Sequence, residues 1–250
     1  MIHSVLIIGQ SNMGGRGFVR EAEPITDANH RLVLINGRWQ KIFRPINPDR
    51  KTSGVCLAES FAERYREDHP NDEIGIIPCA DGGTGLIQWR PGSLLLDHAL
   101  MQLSLAERSS TLVAILWHQG ETDCAPESWP LYEERLTAII REIRKVPAAA
   151  DVPFLMGGLG EFLPLYTETF ANYIHINDAL RRIAEKEPLC GYVPAEGLGS
   201  NPDHMHFNAA ALLEFGRRYY EAFRPLEKKD RLFLPKNLPL DARHSALEAL

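Results

Sequence analysis

A serine, a few histidines and scattered carboxylates occupy positions where this chain could do chemistry. Ser11 lies in LIIGQSNMGGRG, directly after an apolar run and with glycines close behind it. A serine so placed is either a nucleophile or a helix N-cap, and the glycines raise a third reading, a phosphate cradle. The cradle fails on spacing. Gly9 and Gly14 have the separation of G-x-x-x-x-G-K-[ST], but Gly15 and Arg16 follow where a lysine and a hydroxyl are needed. A dinucleotide fingerprint fails after Gly15 and Gly17, where Phe18, Val19 and Arg20 stand instead of a third glycine. The G-x-S-x-G elbow fails at Met13.

A nucleophilic serine needs a base, and NPDHMHF near the C-terminal end offers one. Asp203 and His206 are three apart, so a helical turn makes them neighbours. The carboxylate then fixes the tautomer and leaves the other imidazole nitrogen to face a serine. A second reading stays open: Asp203, His204 and His206 could ligate a metal, with His118, Glu121 and Asp123 adding donors from another strand end. The plainer alternative has His204 solvated and His118 packed and hydrogen-bonded. Acyl transfer also needs donors aimed at the developing oxyanion. The N–H of Ser11, a glycine N–H from Gly82 or Gly83 in DGGTG, and the Gln119 carboxamide in WHQGETD would supply three, although Gly82 and Gly83 also suit an ordinary turn.

These residues need elements to hold them. Continuous Val/Ile/Leu runs at 4–8, 74–78, 112–117, 153–156 and, weakly, 190–193 predict strands buried on both faces of a parallel sheet. Helical patterns at 56–68, 94–106, 130–145, 169–186 and 209–223 alternate with them, which predicts a three-layer α/β/α sandwich with right-handed crossovers. Ligand sites in such sheets lie at the carboxyl ends of the strands. Four of those ends run into GQSNMGG, CADGGTG, HQGETD and GGLGEF, the chemistry-bearing stretches. The segment 17–54 fits neither period and reads as a long excursion; with the loops around Trp89 and Glu161 it should shape substrate choice. The tail 226–250 reads as a strap on the same domain, 1–225.

With 250 residues, 44% of them hydrophobic and 24% charged, one core suffices. A net charge of -6 argues against nucleic acid and anionic lipid as partners, and no apolar run reaches a membrane span. Cys56, Cys79, Cys124 and Cys190 are far apart and form no C-x-x-C pair, which suits reduced core residues. The first residues show no cationic segment or cleavage site, so a cytoplasmic protein is expected, with a homo-oligomer left open.

GQSNMGGRG, GGTG with the following QW, WHQGETD and DHMHF, in this order, resemble the SGNH hydrolase superfamily, in particular its carbohydrate-esterase branch of sialate O-acetylesterase-like and family 6 acetylxylan-esterase-like domains. The resemblance runs from about Val5 to Phe223. It implies a flavodoxin-like sheet, Ser11 as nucleophile, Asp203 and His206 as its dyad, and oxyanion donors at Ser11, Gly82 or Gly83, and Gln119. It gives supporting or substrate-binding places to Gln10, Asn12, Trp89, Arg90 and Glu121, with Trp89 and Arg90 lining the cleft and Glu121 ordering the loops beneath Ser11. It implies no cofactor and no metal. The expected substrate is a small acetylated carbohydrate, a short oligosaccharide rather than a polymer.

Overall fold

The computed structural model describes residues 1–227. All but the first two residues of the expected C-terminal strap lie outside the described residues.

Seven strands form one sheet in the order β3-β2-β4-β1-β5-β6-β7. They are β1 (Ile2–Gly9), β2 (Arg31–Ile35), β3 (Arg38–Lys41), β4 (Glu73–Pro78), β5 (Thr111–His118), β6 (Phe154–Gly157) and β7 (Cys190–Val193). Every pairing is parallel except β2 with β3. The order β4-β1-β5-β6-β7 is the flavodoxin arrangement, whose switch point falls between β1 and β5.

The main helices are α2 (Leu57–Asp68), α4 (Leu94–Ala106), α5 (Tyr132–Ile143), α6 (Tyr173–Lys186) and α7 (Ala209–Phe223). Two short ones, α1 (Ser11–Gly14) and α3 (Leu86–Trp89), sit at strand ends. Because successive side chains of a strand point to opposite faces, β1 divides its residues between two cores. Leu6 and Ile8 join the residues of α4, α5 and α6, while Val5 and Ile7 join those of α2 and α7. The sheet is therefore covered on both sides, as its unbroken apolar strands require.

The excursion 17–54 is not structureless. It holds β2 and β3, joined by a hairpin turn in which Asn36 and Gly37 both have positive φ. The mark was in the sequence: Asn-Gly between apolar runs is a strong hairpin signal. β3 leaves no apolar run because Arg38 to Lys41 is mostly exposed, whereas β2 does carry one at Leu32 to Ile35.

Candidate active site

β1 ends at Gly9, whose φ is +133°; a Cβ there would lie 2.1 Å from the His118 carbonyl oxygen of β5. Only glycine allows this crossing. It turns the chain so that Gln10 N–H donates to that same carbonyl (2.9 Å) and Ser11 opens α1. Ser11 is buried, 7% exposed.

The segment 199–207 returns to it from the far end of the chain. His206 Nε2 lies 3.0 Å from Ser11 Oγ, and His206 Nδ1 lies 2.7 Å from Asp203 Oδ2. A carboxylate only accepts, so Nδ1 carries the proton and Nε2 accepts from the serine hydroxyl. Asp203 Oδ1 accepts the N–H groups of Met205 and His206, each at 3.0 Å, in an Asx-type turn that brings the two side chains together. Burial works to raise the Asp203 carboxyl, but those N–H bonds and the His206 imidazole outweigh it and hold it below 3.8. Such a chain can move a proton from a serine hydroxyl to an imidazole and stabilise the resulting cation.

Asn12 ties the serine loop to the histidine loop. Its Nδ2 donates to Met205 O (3.2 Å) and Glu121 Oε1 (2.5 Å), and its Oδ1 accepts the Phe207 N–H (3.1 Å). Asn201 Nδ2 adds a bond to Arg16 O (2.9 Å). Gln10 Oε1 accepts from Gln119 Nε2 at 3.1 Å and lies 3.4 Å from the Gly120 N–H. Gln10, Asn12 and Glu121 are thus buried supports of the loops. His118 is fully buried, with Nε2 donating to Gly158 O (3.1 Å) and Nδ1 3.8 Å from Glu121 Oε1. Desolvation lowers its pKa from 6.5.

The geometry overturns the expected roles of Gln119 and of Trp89 with Arg90, and it bears on two readings left open, the choice between Gly82 and Gly83 and the surroundings of His204. Gln119 is fully buried, and its Nε2 faces Gln10 Oε1, Thr84 O and, at 2.6 Å, Asp123 Oδ2. Three protein acceptors compete for two amide hydrogens, so this carboxamide is not offered to an oxyanion. Between the two glycines, Gly82 N–H already donates to Asp49 Oδ2 (2.8 Å), which leaves Gly83. Trp89 lines no cleft: it is fully buried, donates to Thr84 Oγ1 (2.9 Å) and packs edge-on against Trp117, while the exposed Arg90 bonds to Ile87 O. His204 turns toward Ser200 Oγ (3.4 Å) rather than joining Asp203 and His206, and among the described residues no three His, Cys, Asp or Glu side chains gather closely enough to hold a metal. Leu86 and Ile87, followed by Gln88, are too short an apolar run to mark the indole of Trp89 as core, and Asp49 beneath Gly82 sits in a prolyl stretch with no local signal.

Residues 2–225 match the family described as carbohydrate esterase, sialic acid-specific acetylesterase. The chain belongs to that family. It is a carboxylic ester hydrolase on the SGNH fold. It is 24% identical over 242 residues to an Arabidopsis thaliana protein named a probable carbohydrate esterase, a match covering 87% of this chain and 88% of that one. A solved Arabidopsis structure superposes with a TM-score of 0.79 at 21% identity, covering 89% of this chain and 98% of the other. A carbohydrate acetylesterase from Xanthomonas citri gives 0.62 at 18% identity, covering 92% of this chain and 57% of that one.

Proposed function

We propose that this esterase removes O-acetyl groups from small acetylated carbohydrates through Ser11, His206 and Asp203. The observation that carries the reading is the unbroken path from Asp203 Oδ2 through His206 to Ser11 Oγ, at 2.7 Å and 3.0 Å. The carbohydrate-esterase family match supports the substrate class.

Ser11 Oγ bonds to the acetyl carbon as His206 Nε2 takes its proton, and the carbonyl π pair moves to oxygen. Asp203 holds the imidazolium at Nδ1. The oxyanion is met by the N–H groups of Ser11 and Gly83, each contributing about 3 kcal/mol by analogy with other oxyanion holes. When the oxyanion collapses, the bond to the sugar oxygen breaks and that oxygen takes the proton from His206. Water then attacks the acetyl-enzyme with the same base, releasing acetate and Ser11.

The test is hydrolysis of 4-nitrophenyl acetate by the wild type and by Ser11→Ala, each with and without EDTA. Activity that survives EDTA and vanishes with Ser11 is expected, and a screen of acetylated oligosaccharides follows from it. Loss with EDTA, together with survival in Ser11→Ala, would overturn the serine mechanism.

A further inference from the structure

The excursion 17–54 does more than extend the sheet edge: three of its residues grip the β4–α3 loop peptide by peptide. Asn47 Oδ1 accepts the Ala80 N–H (3.0 Å) while its Nδ2 donates to Ala80 O (3.0 Å). Asp49 Oδ2 accepts the Gly82 N–H (2.8 Å). Arg50 Nη2 donates to Gly82 O (2.9 Å), and its Nη1 pairs with Asp81 Oδ1 (2.7 Å).

Asp49 is itself locked from the serine side. Arg16, five residues after the nucleophile, donates from Nη1 to Oδ1 (3.1 Å) and from Nη2 to Oδ2 (2.7 Å), and both side chains are only 5% exposed. Ser53 Oγ donates to Oδ1 (2.9 Å). Burial would raise the Asp49 carboxyl, but the bonds and charge of Arg16, with Ser53 and the Gly82 N–H, keep it below 3.8 and so ionised. Gly82 is glycine for a steric reason: a Cβ would lie 2.5 Å from Arg16 Nη2, and 3.5 Å from Ser11 Cβ.

The next peptide is the informative one. The Gly82–Gly83 bond is trans, so its N–H points opposite to its C=O. Arg50 holds the carbonyl; among the described residues no protein acceptor takes the Gly83 N–H, and the space where a Gly83 Cβ would stand is open to 4 Å. A cation bound to the carbonyl also polarises the peptide toward a stronger N–H donor. We propose that Asp49 and Arg50, with Arg16 bracing Asp49, are positioning residues that aim the Gly82–Gly83 peptide as a donor to the oxyanion formed at Ser11. The inference rests on Ser11 being the nucleophile.

The test compares Arg50→Ala, Arg50→Lys and Asp49→Asn with wild type and Ser11→Ala on 4-nitrophenyl acetate and on its thionoacetate counterpart. Sulfur accepts hydrogen bonds weakly, so the thionoester depends less on the donors. Arg50 is half exposed, so Arg50→Ala keeps the fold even if the buried Asp49→Asn does not. Arg50→Ala is expected to lower kcat on the oxygen ester about 10-fold, part of what deleting a whole donor costs. KM should stay within about twofold, the oxygen-to-thiono rate ratio should fall, and Arg50→Lys should regain most of the loss. If Ser11→Ala is inert but Arg50→Ala keeps the wild-type kcat and rate ratio, the positioning role is wrong and the serine reading stands. A kcat loss that moves KM equally and leaves the ratio unchanged would also overturn it, as a general structural effect. Wild-type activity in Ser11→Ala would overturn both.

Discussion

His206 and Ser11 meet at 3.0 Å, and each is useless to an acyl transfer without the other. Ser11→Ala and His206→Ala should therefore each lower kcat by at least about 10³-fold, with the double variant little worse than either, because such residues act as a unit. Additive losses in kcat would count against the shared role. Asp203→Asn should leave the Asx turn and the fold intact yet cost most of the rate, since the amide can donate to Nδ1 and impose the wrong tautomer; circular dichroism and kcat measured together separate the two effects. At His118 the expected effect is on stability. Its folded pKa is depressed by burial below the 6.5 of the unfolded chain, so the unfolded state gains a proton that the folded state refuses as pH falls below that value. Stability is thus full above 6.5 and declines on acidification. His3, also lowered chiefly by burial, pulls the same way. In thermal melts from about pH 7 to about pH 5, His118→Gln should shrink the fall in Tm without abolishing it.

At the scale of elements, α7 is the helix that brings the histidine loop home, and its N-cap connects the two. Asn208 Oδ1 accepts the Ala211 N–H (2.8 Å), while its Nδ2 donates to Ser200 O (3.3 Å) across the loop that carries Asp203 and His206. Asn208→Ala should cost about 1 kcal/mol, a Tm drop of about 2–4 °C for a domain of this size by calorimetry, and kcat should fall as well because the loop loses a tether. The elements were largely legible in the sequence. The five expected strands and five main helices all form, because apolar runs and 3.6-residue periodicity report burial directly. The helices expected from Pro130 and Thr169 begin later, at Tyr132 and Tyr173, because short 3-10 segments precede α5 and α6. The hairpin is hidden on one side only: β3 has no apolar run, while β2 has Leu32 to Ile35. Within the site, Ser11, Asp203 and His206 were readable because strand ends and local i,i+3 spacing carry that information. The surroundings of Gln119 and Trp89 were not, because which face of a loop is buried depends on residues distant in sequence, such as Gln10 and Thr84 around Gln119 and Trp117 against Trp89.

Over the whole molecule, the two cores on either side of the sheet enclose the four cysteines, all free and buried. Burial pushes the Cys56 and Cys79 thiols up to about 12 and Cys190 to about 11, and raises Cys124 as well. Thiolate, the reactive form, is scarce in each. A disulfide reagent should therefore modify none of them in the native protein and all four in denaturant; rapid native labelling would mean that the cores open readily. Among the described residues no helix is long and apolar enough to cross a membrane. The separation of 195 residues between Ser11 and His206 has a consequence in time. Synthesis delivers Ser11 long before His206, so on the proposed mechanism a growing chain carries an inert serine until the residues up to His206 have been added. Hydrolysis should likewise return during refolding only when α7 docks, after most secondary structure has formed. The enzyme's own turnover then serves as a clock for the last long-range closure of its fold.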